Sequence, residues 1–154
     1  MGHLFKELRY AELFAGLAVG SMAIKKVFKN ARCVFYSEIE KNRCQLLANY
    51  HPESKNVGDI DFVKFEDQGD IDLVIGGSPC QDLSIARSNR EGLDGHESGL
   101  FYKYLELLSV KKPKYFILEN VASMSNDARL EITRLLSKHH GSPVRSVLIN
   151  SISF

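Results

Sequence analysis

Hydrophobic positions in this chain fall into short continuous runs separated by amphipathic stretches. The run "ELFAG" at 12–16 predicts a strand that ends at glycine, after which Val19, Ala23, Val27 and Phe28 recur at helical spacing. "CVFYSEI" at 33–39 predicts a second strand. A polar helix follows, carrying Cys44, Leu47 and Ala48 on one side and stopped by Pro52. "NVGDI" predicts a short third strand and "DLVIGG" a fourth. Leu100, Phe101, Tyr104, Leu105 and Leu108 form the apolar stripe of a helix that ends before Pro113. "YFILENV" predicts a fifth strand. Ala128, Ile132, Leu135, Leu136 and His139 stripe a helix closed by Gly141, and "VRSVLIN" predicts a sixth strand. Apolar strands alternating with striped helices indicate an α/β fold: a mostly parallel sheet with helices on both faces. The segment 81–98, rich in Arg, Ser, Asn, Gly and Asp, lacks either period and reads as a long loop.

The 154 residues amount to a single domain, 1–154, with enough chain for a buried core. A formal charge of +1 excludes a strongly basic nucleic-acid clamp while leaving room for a local patch. No membrane-length apolar run or signal-peptide pattern is found, which predicts a soluble protein inside the cell, in cytoplasm or nucleus. The three cysteines, Cys33, Cys44 and Cys80, are widely spaced without a CxxC pair, so neither a disulfide framework nor a metal site is expected.

In an open parallel sheet, ligands bind beyond the carboxyl ends of the strands. This sequence places the turn "FAGLAVG", Glu38, Asp59, the loop "SPC" and Glu119-Asn120 at those ends. Gly16 and Gly20 do not make a GxGxxG, so a pyrophosphate cradle is poorly supported and a plain strand-to-helix turn is the alternative. Glu38 lies 22 residues after Gly16, near the offset at which an acid meets ribose hydroxyls; it could equally be a solvated strand end. Asp59 could equally be a turn or N-cap residue. Cys33 and Cys44 fit buried, inert thiols, whereas Cys80 stands in a loop past a strand, where a lowered pKa would make it a nucleophile. Glu119 is its natural partner, with partial burial expected to raise its pKa; capping the next helix is the other reading. His139 and His140 near a helix end suit its dipole.

"FAGLAVG", "SEI", "GDI", "GGSPCQDLS", "ESGLF" and "LENV", in this order and spacing, resemble the successive motifs of the DNA cytosine-5 methyltransferases, the de novo type above all. The resemblance covers nearly the whole chain and implies a Rossmann-like, S-adenosylmethionine-dependent methyltransferase fold. It implies that Cys80 adds to carbon 6 of cytosine while Glu119 protonates ring nitrogen 3. It further implies a cofactor pocket of Phe14, Ala15, Gly16, Leu17, Glu38 with Ile39, Asp59 with Ile60, Pro79 and Leu100. Asn120 would help position the site loop, and the loop carrying Gln81, Ser84, Arg87 and Arg90 would close over a base turned out of DNA.

After "LINSISF" the family continues with an arginine-bearing motif, a last antiparallel strand, a target-recognition region and a closing helix. The fold is therefore expected to lack its C-terminal part and to leave an open sheet edge that invites pairing. The chain is expected to be a subunit of a split enzyme or a truncated form, with a second methyltransferase chain or a copy of itself as partner. Three readings stay open: a DNA methyltransferase segment, an RNA-directed (tRNA) relative, and a non-catalytic accessory module. A nicotinamide oxidoreductase is disfavoured by the missing GxGxxG.

Overall fold

A computed structural model describes residues 7–77, 96–120, 124–147 and 149. Five strands, β1 (Leu8–Leu13), β2 (Ala31–Tyr36), β3 (Lys55–Asn56), β4 (Leu73–Gly77) and β5 (Tyr115–Glu119), form one sheet in the order β3-β2-β1-β4-β5. Every neighbouring pair is parallel. Among the described residues four helices accompany them: α1 (Val19–Val27), α2 (Lys41–Tyr50), α3 (His96–Lys111) and α4 (Asn126–His140). The architecture is the Rossmann-like α/β arrangement. Strand order reverses between β1 and β4, the switch point at which such sheets open a crevice.

Because strand side chains alternate, the sheet divides its core in two. On one side Ala11, Leu13, Phe35 and Val74 pack with Phe101, Tyr104, Leu105 and Leu108 of α3 and Ile132 and Leu136 of α4. On the other, Leu8, Tyr10, Cys33, Tyr36 and Leu73 meet Ile24 of α1 and Leu47 of α2. The ends of α4 are set by its sequence. Ser125 Oγ accepts from the Ala128 N–H at 3.2 Å, and Gly141 closes the helix at φ 78°. No helix among the described residues is long and apolar enough to cross a membrane.

Several elements differ from the sequence pattern. β1 occupies 8–13 rather than 12–16, because Phe14, Gly16 and Ala18 take φ of 55°, 54° and 61°, which no strand can accommodate. The expected α1 stripe is inverted. Val19 and Val27 are 65% and 72% exposed and Ala23 is exposed, while Ser21 and Ile24 face inward. On α2, Leu47 is buried but Ala48 is exposed. β3 is two residues long, and Ile60–Phe62 is a 3-10 turn. α3 begins at His96, inside the stretch read as loop, and residues 81–95 of that stretch lie outside the described residues. The described residues of the sixth expected strand, 144–147 and 149, form no strand, with Val147 and Ile149 exposed.

Candidate active site

The turn after β1 is built from backbone. Ala15 N–H donates to Ser37 O at 3.0 Å and Ala18 N–H to Ala15 O at 2.9 Å. The left-handed geometry at Phe14 and Ala18 costs about 1 kcal/mol per residue, since neither is glycine. Gly16, at φ 54°, takes the same conformation without that cost. Gly20 requires its residue type by crowding: a Cβ there would lie 2.7 Å from Glu12 Oε1 and 2.9 Å from Ile75 Cδ1. Ala15 is buried, Phe14 is half-buried, and Leu17 is 60% exposed at the rim.

Glu38, two residues beyond β2, holds this turn. Its side chain is almost fully buried, and Oε2 accepts from the Gly16 N–H at 2.8 Å while Oε1 accepts from the Ile39 and Glu40 N–H groups, each at 2.9 Å. A carboxylate has about four acceptor sites, so these three bonds leave one on Oε2, where the Arg43 guanidinium stands 3.9 Å away as an ion pair, beyond hydrogen-bond distance. Ile39, beside it, is 72% exposed. Glu40 caps α2, and its carboxyl is held below the usual range by the Asn42 and Arg43 N–H groups.

A second turn lies alongside. Ser37 Oγ donates to Gly58 O at 2.8 Å. Asn56 binds across the same gap with both ends of its amide, to the Glu38 backbone and the Gly58 N–H. Asp59 is the N-cap of the 3-10 turn, accepting from the Asp61 N–H at 3.0 Å. The Ile60 side chain is 2% exposed and packs in the core. Asn56 and Ser37 leave no trace in the hydrophobic pattern. An Asn two residues before a glycine turn is the signal that could have found the former.

The β4 and β5 ends lie in register, Gly77 opposite Glu119. A Cβ on Gly77 would sit 2.8 Å from Glu119 Oε2, so glycine lets that carboxylate lie against the β4 terminus. Glu119 is exposed, not partly buried as expected: it shares its side of β5 with the exposed Tyr115 and Ile117, over which no described helix lies. Asn120 follows it, half-buried. Leu100 is half-buried against the core on α3. Pro79, Cys80, Gln81, Ser84, Arg87 and Arg90 lie outside the described residues. The structure thus brings the glycine turn, Glu38 and the Asp59 turn together at one sheet edge. It places Glu119 at the carboxyl end of the same sheet. His139 and His140 have specific partners: His139 Nδ1 lies 2.8 Å from Ser109 Oγ, and His140 Nε2 donates to Pro113 O at 3.0 Å.

Beneath the first turn is a buried polar row. Glu12 Oε1 accepts from the Ser21 N–H at 3.3 Å, and Glu12 Oε2 accepts from the Ser21 hydroxyl. His51 Nε2 lies 2.9 Å from Ser21 Oγ, and Lys25 Nζ lies 3.3 Å from His51 Nδ1. With the serine proton committed to Glu12 and an ammonium that only donates, the His51 tautomer follows: Nε2 donates and Nδ1 accepts. Burial and then Lys25 push the His51 pKa down to about 4, whereas burial raises that of Glu12 against the bonds from Ser21 and Gly20. Cys33, nearby, is pushed up to about 12 by burial, as suits an inert thiol.

A profile of the C-5 cytosine-specific DNA methylase family matches residues 8–139. The orphan methyltransferase M.SPRI of Bacillus phage SPR is 34% identical over 122 residues, 78% of this chain and 28% of its own length. The type II methyltransferase M.NlaIV of Neisseria lactamica is 31% identical, over 86% of this chain and 32% of its own length. The type II methyltransferase M.BsuFI of Bacillus subtilis is 33% identical, over 94% and 32%. The chain therefore spans about a third or less of these relatives. With the profile covering most of its length, the chain belongs to the C-5 cytosine-specific DNA methylase family.

Proposed function

We propose that this chain carries the cofactor-binding and catalytic part of an enzyme that methylates carbon 5 of cytosine in DNA. The observation that carries the reading is the Glu38 carboxylate, buried and fixed by three N–H donors, with an acceptor site remaining beside a left-handed glycine turn. That chemistry suits a ribose hydroxyl, and the turn lacks the GxGxxG of a pyrophosphate cradle. Phe14, Ala15, Gly16 and Leu17 would line the pocket of S-adenosylmethionine, with Glu38 and Ile39 at the ribose, Asp59 and Ile60 at the adenine, and Pro79 and Leu100 at its flank. The Ile60 side chain is committed to the core, which leaves its backbone for that contact. When bound, the cofactor supplies an electrophilic methyl group.

The protein's own residues make carbon 5 nucleophilic. The Cys80 thiolate adds to carbon 6 of a base turned out of the duplex, and Glu119 delivers a proton to nitrogen 3, so the ring electrons collect at carbon 5. After methylation, a water or other general base takes the carbon 5 proton as the carbon 6–sulfur bond breaks to release the thiolate, and nitrogen 3 returns its proton to Glu119, which restores the ring. Gln81, Ser84, Arg87 and Asn120 would hold the base and its phosphates. Support for Glu119 is its place against the β4 terminus, three residues before Cys80. The exposed side of β5 and the exposed apolar residues of α1 suit a covering segment or second subunit, so turnover is expected to need more polypeptide than the described elements.

The test is trapping on duplex DNA containing 5-fluorocytosine, with S-adenosylmethionine and with candidate partner chains. An adduct at Cys80 that disappears in Cys80→Ser and weakens in Glu119→Gln is expected. Methyl transfer by the Cys80→Ser protein at the parent rate would refute the covalent reading.

A further inference from the structure

We propose that Asn56 is a positioning residue that sets the spacing between the ribose and adenine subsites; the inference rests on the cofactor reading given above. β3 stops at Asn56 after two residues, so the backbone ladder cannot carry the register of β2 further toward the site. The last rung is the Val57 N–H donating to Tyr36 O at 2.8 Å. Beyond it the Asn56 amide takes over. Oδ1 accepts from the Glu38 N–H at 3.3 Å and the Gly58 N–H at 3.0 Å. Nδ2 donates to Glu38 O at 3.1 Å and to Cys44 Sγ at 3.3 Å. One side chain thus grips both backbone polar atoms of Glu38, the residue assigned to the ribose. It also grips the amide of Gly58, which precedes Asp59 and stands at φ 71° with no neighbour within 4 Å of a Cβ position. Glycine is there for the turn it makes, not for crowding.

The bond set has a direction that simple strand closure would not need. Asn56 binds the residue whose carboxylate organises the Gly16 turn and the residue that starts the Asp59 turn. Cys44 Sγ, itself donating to Glu38 O at 3.2 Å, ties the bracket to α2. Such a clamp holds two ligand-facing turns at a fixed separation, the supporting role that determines how well a site is preorganised.

The test measures binding of S-adenosylmethionine, S-adenosylhomocysteine and 5′-methylthioadenosine to the parent chain and to Asn56→Ala by calorimetry, with amide hydrogen exchange on both proteins. All three ligands share the adenosyl end, so Asn56→Ala is expected to weaken each by a similar factor of about ten or more. Exchange should quicken at Glu38 and Gly58 while β1 stays protected. Equal affinity in parent and variant overturns the role, as does a loss confined to the two ligands with an amino-acid tail. Should the alanine protein not fold, Asn56→Asp keeps an acceptor but no donor and is expected to weaken all three ligands alike. A parent that binds none of them sinks the cofactor reading itself, an outcome distinct from a parent and variant that bind equally.

Discussion

The two faces of the sheet bury their residues by different rules. The face under α3 and α4 is apolar, and its deepest polar group, the Tyr104 hydroxyl, has a single job, donating to Ile117 O at 3.1 Å. The face under α1 and α2 buries Glu12, Ser21 and His51 beside Tyr10 and Cys33. Apolar burial is tolerant of detail and gives the larger stabilisation, whereas a buried polar row holds only if every member keeps its partner. The row lies beneath the turn that begins at Phe14. The division therefore assigns stability to one face and positioning to the other.

The largest effect expected is on the apolar face. Leu108 of α3 is fully buried in the cluster that α3 and α4 form with the sheet, and Leu108→Ala should cost about 3–4 kcal/mol in urea unfolding, through lost transfer energy and the cavity left behind. Cofactor affinity measured on the protein that remains folded should be unchanged. If affinity falls with stability, the two faces are not separable in this way.

Acid should distinguish the faces next. His51 is 3% exposed and faces Ser21 and Lys25 of α1, Tyr10 of β1, Tyr36 of β2 and its neighbour Tyr50. Its folded pKa of about 4 lies below the ordinary 6.5, so its contribution is complete above 6.5 and is lost as pH falls toward 4. The total at stake is on the order of 3 kcal/mol. Glu12 carries the opposite sign. Its folded pKa is raised, so its contribution is complete below the ordinary 4.5 and is lost as pH rises through the folded value. His51→Phe should flatten the acid limb of a stability–pH curve recorded from pH 7 to 4. An unchanged limb would show that His51 does not titrate in the folded protein as the geometry requires.

These contrasts also explain what could be read in the sequence. The α3 and α4 stripes, Phe101–Tyr104–Leu105–Leu108 and Ile132–Leu136, are apolar at helical spacing and lie inward as expected. The α1 stripe is inverted because its inward position, Ser21, is polar, and only tertiary contact with Glu12 shows that it is satisfied. β1 departs from the expected 12–16 for a related reason. "LRYAEL" carries Arg9 and Glu12, which break the apolar run, yet Arg9 is paired with Asp72 and Glu12 with Ser21. Residues at strand ends are legible because parallel strands bring their carboxyl ends to one edge: Gly16 bonds to Glu38, and the Gly58 turn that leads to Asp59 is tied to Ser37. Asn56 is not legible, because an amide that binds backbone leaves no periodic trace. The "PCQ" loop announced itself by composition alone and lies outside the described residues.

Ser21→Ala tests the polar row directly. It removes the hydroxyl that joins Glu12 to His51, leaving the Glu12 carboxylate with backbone donors alone and the His51 Nε2–H without its acceptor. About 2 kcal/mol of stability should be lost, for a volume change too small to matter in an apolar site. Ser21→Thr, which keeps the hydroxyl, should recover part of it. Equal losses in both would mean that packing, not hydrogen bonding, holds α1 against β1.

The smallest effect is expected at the opposite edge of the sheet, and it is the control that sharpens the comparison. Arg9 Nε and an Arg9 terminal nitrogen donate to the two Asp72 oxygens at 3.1 and 3.0 Å, and the Arg9 backbone N–H adds a third bond at 3.0 Å. The pair joins β1 to β4 at their entry ends, away from the carboxyl edge. Hydrogen bonding to Arg9 holds the Asp72 carboxyl below its ordinary range, so its contribution is present above about pH 4 and fades as pH falls further. With both side chains partly open to solvent, Asp72→Asn should cost only about 1 kcal/mol, less at high salt. Cofactor affinity should not change, because the bidentate pair fixes strand register where neither the Gly16 turn nor the Asp59 turn begins. A measured loss of affinity here would mean that strain crosses the full length of β1, and that positioning is a property of the whole sheet and not of the row under α1.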